Sequence, residues 1–100
     1  MKTKYLLAAG LIVFVGSTQA RDLGPDEALK LRDSGTIQSF EKLNEAALAQ
    51  HPGGVIRETE LEHERGRYVY QLEVVDVQGV EWDVELDATN GQILKNQQDD

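Results

Sequence analysis

From Val55 onward apolar and polar residues alternate almost one for one, broken only by short turn signals, and this period-two stretch restricts the fold more than any other feature of the chain. It predicts strands at about 55–64, 67–75, 80–87 and 92–95. With Arg65-Gly66 as the first turn, Glu64 pairs with Arg67, Leu61 with Tyr70 and Thr59 with Leu72. Asp76-Val77-Gln78-Gly79 forms the second turn, and pairing Val74 with Val80 sets Leu72 beside Trp82 and Tyr70 beside Val84. A third turn, Ala88 to Gly91, sets Leu86 opposite Ile93. All three turns, placed independently, turn the same apolar set to one side, which is the agreement a correct face assignment requires.

Two short helices precede the strands. Gly24-Pro25 followed by Asp26 and Glu27 puts proline at the first helical position and acids at the positive end of the dipole, and Gly35 supplies the stop. Ser39 caps a second helix from Phe40 to about His51, closed by Pro52-Gly53-Gly54. Phe40, Leu43, Ala47 and His51 share one side of that helix, so it is expected to lie on the sheet. The predicted class is α+β: an antiparallel meander of three to four strands with one or two helices packed on one face. Its core is Phe40, Leu43 and Ala47 against Leu61, Tyr68, Tyr70, Leu72, Val74, Trp82, Val84, Leu86 and Ile93. Residues 96–100 read as a frayed polar tail.

The first twenty residues read as an export signal. Lys2 and Lys4 make a basic start, Tyr5 to Val15 is apolar but well short of the roughly 20 residues that cross a bilayer, and Thr18-Gln19-Ala20 has small residues where a signal peptidase cuts. Cleavage after Ala20 leaves a single domain, 21–100, in the periplasm or outside the cell. No stable membrane anchor is then expected, and no Cys follows the cut to carry a lipid. That segment holds 8 basic against 18 acidic residues, a formal charge of −10. Such a balance opposes nucleic acid and anionic membrane, whose recognition needs clustered Lys and Arg. With no Cys in the chain, stability must come from one small core, which leaves little room for large functional cavities.

Candidate reaction chemistry is sparse. His51 and His63 are the only histidines, and Ser34 and Ser39, the serines beyond the leader, read as helix-end residues. No Gly-rich phosphate loop and no His or Cys pair at zinc spacing occurs. No catalytic residue, cofactor or metal ligand is assigned, and the chain is expected not to be an enzyme. His51 is expected to cap a helix or edge the core, and His63 to pack across from Tyr68.

The outward face carries the information. It projects Glu58, Glu60, Glu62 and Glu64 from the first strand, Arg67, Val69, Gln71 and Glu73 from the second, and Glu81, Asp83, Glu85 and Asp87 from the third; Glu58, Glu73 and Glu81 are expected to align. Directly opposed like charges on a sheet cost up to about 1 kcal/mol per pair, so stability alone would not choose this surface. Three uses fit it: a solvated face that keeps an exported domain soluble, a docking surface for a basic protein, and weak binding of a divalent cation. The docking use draws on Glu58, Glu60, Glu62, Glu73, Glu81, Asp83 and Glu85, with Val69 for apolar contact. The strand 55–64, if outermost, could also accept an extended peptide along its edge.

The helix "FEKLNEAALAQHPGGVI" followed by "ETELEHERGRYVYQLEVVDVQGVEWDVELDATNGQIL" resembles the PepSY family of peptidase propeptides and exported bacterial proteins. The matching features are Gly53-Gly54-Val55-Ile56 entering the first strand, the "YVYQLEV" strand from Tyr68 to Val74 and the "ELDATNGQIL" hairpin, and the resemblance runs over 39–95. It implies an α+β module without catalytic residues that restrains or regulates peptidases outside the cytoplasm. Since no protease domain follows in the sequence, the regulated partner is expected to be another extracytoplasmic protein, a peptidase or the exported domain of a sensor. The alternative function is a periplasmic cation-responsive or ligand-binding protein using the acidic sheet face.

Overall fold

The computed structural model describes residues 20–99. The expected export signal lies outside the described residues. The elements run β1 (Ala20–Asp22), α1 (Pro25–Asp33), α2 (Phe40–Leu48), β2 (Val55–Glu64), β3 (Arg67–Val75), β4 (Glu81–Asp87) and β5 (Ile93–Gln98). All strands pair antiparallel in one sheet of order β1-β2-β3-β4-β5. The class is α+β as expected, but the sheet has five strands rather than three or four. The added strand is β1, whose three residues pair with Glu62–Glu64 at one end of β2.

Pro25 opens α1 with Asp26 and Glu27 in its first turn, and Lys30 and Arg32 sit in its last, so both ends complement the helix dipole. In α2 the Ser39 hydroxyl accepts from the Lys42 N–H at 3.2 Å. This helix ends at Leu48, short of His51: Gln50 N–H donates to Ala47 O and His51 N–H to Leu48 O, the tighter spacing that unwinds a last turn. Gly54 must follow, because a Cβ there would sit 2.9 Å from His51 O and 3.1 Å from Val75 O. The backbone of the helix exit therefore rests directly on the sheet.

At the first hairpin Arg65 and Gly66 both take positive φ, 53° and 78°, as a two-residue turn with the twist of its strands demands. Its expected pairs, Glu64–Arg67, Leu61–Tyr70 and Thr59–Leu72, are present. The second hairpin departs from expectation by two residues: Val74 pairs with Trp82, Leu72 with Val84 and Tyr70 with Leu86. Asp76 is the reason. Its N–H donates to Val80 O, and its Oδ1 accepts from the N–H groups of Gln78 and Val80, both at 2.9 Å, so Val80 belongs to the turn and β4 starts at Glu81. A shift of two keeps every side chain on its face, so the core survives the correction. In the third hairpin Leu86 pairs with Ile93 as expected, but β5 runs on to Gln98, with Asn96 opposite Val84 and Gln98 opposite Trp82, so most of the expected tail is paired strand.

Leu43, Ala47, Val74, Val84 and Leu86 are fully buried between α2 and the sheet, with Leu61, Tyr70 and Leu72 around them. Phe40, Tyr68, Trp82 and Ile93 pack at the margin, and Ala28, Ile37 and Ala88 complete the core from α1 and the connections. Two polar contacts fasten the layers: the Tyr70 hydroxyl donates to Asn44 Oδ1 at 2.8 Å, and the ring of His51 lies 4.5 Å from that of Trp82 while its Nε2 meets Asn96 Oδ1 at 2.8 Å. His51 is thus a core-edge ring. His63 stacks on Tyr68 with centroids 4.6 Å apart.

Candidate functional site: a carboxylate-lined sheet face

Alternation along β2, β3 and β4 delivers the outward carboxylates, and the cross-strand register sorts them into rows. One row runs Glu58, Glu73, Asp83, Gln97, a second Glu60, Gln71, Glu85, Lys95, and a third Glu62, Val69, Asp87. The aligned acidic trio is therefore Glu58, Glu73 and Asp83; Glu81 moves one pair further along because of the second hairpin's register. Glu58, Glu60, Glu73, Asp83 and Glu85 border one open depression of about 270 Å³ with Gln71 and Lys95.

The remaining expected residues stand differently. Glu62 lies at the β1 side, directly opposite Asp22. Glu81 lies at the far end, held by the guanidinium of Arg57. Val69 is 3 % exposed, sunk between the Glu62 and Asp87 strands, so it offers no apolar contact to a partner. Arg67, whose Nε is 3.7 Å from Asp87 Oδ2, and Leu94 border the shallow hollow over it.

A residue absent from the sequence-level reading organises one end of the face. The register shifts between Ile56 and Glu58, and Arg57 at that bulge turns to the acidic side. Its Nη1 donates to Glu81 Oε2 at 2.6 Å and its Nη2 lies 3.1 Å from Glu73 Oε1, a charge contact rather than an aligned hydrogen bond. Glu81 first and Glu73 second hold the guanidinium above its ordinary range. The signal was in the sequence: Ile56 breaks step with inward Thr59, Leu61 and His63, and only an extra residue lets both parts of the strand face the core. Elsewhere the Gln71 amide donates to Glu62 Oε1 at 3.0 Å and Glu85 Oε2 at 3.4 Å, and Lys95 Nζ is 4.0 Å from Glu85.

Two carboxylate triads have oxygens within 4.8 Å of one another, Asp22 with Glu60 and Glu62, and Glu73 with Asp83 and Asp99. Asp22 and Asp99 enter from strand ends that the sequence did not place on this face. The Glu62 carboxyl is pushed up to about 6 by burial first, then by a hydrogen bond with Asp22 and by the charges of Asp22, Glu64 and Glu60. Such groups can attract cations or basic side chains.

Two helices on one side of a five-stranded antiparallel sheet, with carboxylates in rows on the other, define a small layered α+β module. Residues 37–96 match the family described as PepSY, the peptidase propeptide and YPEB domain, and the chain belongs to that family. Domains of this family are generally non-catalytic, propeptide-like modules and typically extracytoplasmic. Among the described residues no helix is long and apolar enough to cross a membrane. The chain is also similar to the uncharacterized protein YkoJ of Bacillus subtilis (strain 168), 38% identical over 75 residues; the match takes in 75% of this chain and 44% of that relative, so the chain spans less than half its length. No solved structure matches.

Proposed function

We propose that this chain is an exported, non-catalytic PepSY module that regulates an extracytoplasmic peptidase or sensor domain by protein contact, with the acidic sheet face as its docking surface. The observation that carries the reading is the row Glu58, Glu73, Asp83, with Glu60 and Glu85 beside it around one open depression. Each directly opposed acid pair costs up to about 1 kcal/mol, and Arg57 offsets that at one end only. A basic partner surface would neutralise the rest and be steered toward it over several ångströms. Export through a leader at 1–20, cleaved after Ala20, places such a contact in the periplasm or outside the cell.

Cross-linking in a periplasmic extract, with mass spectrometry of the adduct and an assay of the captured protein's peptidase activity, tests this. A discrete partner whose activity falls in proportion to added module is the expected result. Discrete capture without any change in a partner's activity would remove peptidase regulation from the reading and leave binding.

The two carboxylate triads favour a second reading, a cation-responsive protein. Ca²⁺ or Mg²⁺ raising the melting temperature well beyond a monovalent salt at equal ionic strength would support it; an equal shift means charge screening alone.

A further inference from the structure

β1 covers only part of the sheet's first edge. It pairs with Glu62, His63 and Glu64, and Leu23 N–H adds one bond to Leu61 O at 2.8 Å before the chain turns away at Gly24 into α1. That bond shows that the backbone groups of Leu61 face outward, and by the alternation of an antiparallel strand those of Thr59 do as well. Among the described residues none pairs with this edge from Val55 to Glu60, a length of about 20 Å that carries the bulge at Arg57 and has room for one ordinary strand.

The two sides of this open edge differ in chemistry. Toward the helices lies an apolar groove of about 600 Å³ lined by Leu23, Pro25, Leu29, Phe40 and Leu61, in which Leu29 is an exposed large hydrophobic. Toward the other side stand the exposed carboxylates of Glu58 and Glu60. A strand laid here would put alternate side chains into the groove and onto the carboxylates. A second copy of this chain is a poor occupant: two such edges pairing about Thr59 would set Glu58 against Glu60, the like-charge arrangement that guards an edge.

We infer that the Val55–Glu60 edge accepts an extended segment of a partner protein as a sixth strand, and that the segment alternates basic and aliphatic residues. This deepens the protein-contact reading above and rests on it. The added strand's main chain bonds to Thr59 and its neighbours, its aliphatic side chains reach Leu29 and Phe40, and its basic side chains meet Glu58 and Glu60. Affinity comes from the pairing and the groove, selectivity from the charge.

The test is a titration of the full isotope-labelled chain with a blocked synthetic peptide of about ten residues, the length of a long strand, alternating lysine and valine. Amide shifts confined to Val55–Glu60, Leu29 and Phe40, with hydrogen exchange of the Thr59 amide slowed at least about tenfold, are expected. The same peptide N-methylated at alternate residues, which cannot pair, is expected to bind at least about tenfold more weakly, the equivalent of about 1.4 kcal/mol. Equal binding of the methylated peptide, or shifts at Glu73, Asp83 and Glu85 with Thr59 exchange unchanged, would overturn the edge inference while leaving the acidic-face reading intact. Failure to bind at all would overturn it too, and so would the same edge residues shifting on concentration of the chain without peptide, since the occupant would then be a second copy. The cross-linking experiment decides the underlying reading independently.

Discussion

Asp76 shows how much one half-buried side chain can decide. Its Oδ1 accepts from two turn amides and its Oδ2 from Trp82 Nε1 at 3.0 Å, so it ties the second hairpin to the aromatic at the core margin. The Trp82 hydrogen bond, then that of Val80, hold its carboxyl below the ordinary range. A depressed carboxyl stabilises the fold above its unfolded value and ceases to as pH falls through the folded one. Asp76→Ala is therefore expected to lower the melting temperature at neutral pH, and to narrow its gap from the parent in acid; an unchanged gap down to full protonation would deny the linkage. Trp82→Ala is expected to cost about 3 kcal/mol in urea unfolding followed by circular dichroism, the low end for a large aromatic because the ring is half-buried. A near-native midpoint would mean that its contact with His51 carries no weight. Alternation made Trp82's inward side legible. It could not reveal that outward Val69 is buried, because burial on that face depends on what long side chains such as Arg67 do above it.

At the scale of elements, β2, β3 and the helix pair were readable because each carries a repeating signal: period two over nine or ten residues, or a cap, a dipole and a stop. β1 was not, since three residues cannot display a period and Ala20-Arg21-Asp22 borders an apolar leader. The register of β4 failed because a turn sequence does not reveal that Asp76 will close a longer loop. β1 is held against β2 across opposed carboxyls, Asp22 and Glu62. With Glu62 raised from 4.5 to about 6, the folded state binds a proton more readily than the unfolded chain, so stability should fall as pH rises from about 4.5 to about 6 and stay lower above it. Glu62→Gln is expected to flatten that slope in melting curves taken across the window. If the parent has no slope there, the two carboxyls are not coupled in solution.

For the molecule as a whole, the helices and core account for one face of the sheet and leave the other with more like charge than folding requires. This division was legible from composition and alternation together, whereas Arg57, Asp22 and Asp99 join the face only through a bulge and two strand ends. Belonging to the PepSY family supplies the class of module but does not name what its acidic face meets. Glu85 accepts from Gln71 at 3.4 Å and lies 4.0 Å from Lys95, while Glu60 sits beside the like charges of Asp22 and Glu62, so replacing both loses weak pairing and relieves repulsion and is expected to change stability by no more than about 0.5 kcal/mol. The most direct measurement is cross-linking in periplasmic extract with the parent and Glu60→Lys, Glu85→Lys chains side by side, each verified as folded. Docking through the acidic face predicts a discrete adduct with the parent that the folded double variant loses. An adduct of equal yield with both would contradict it.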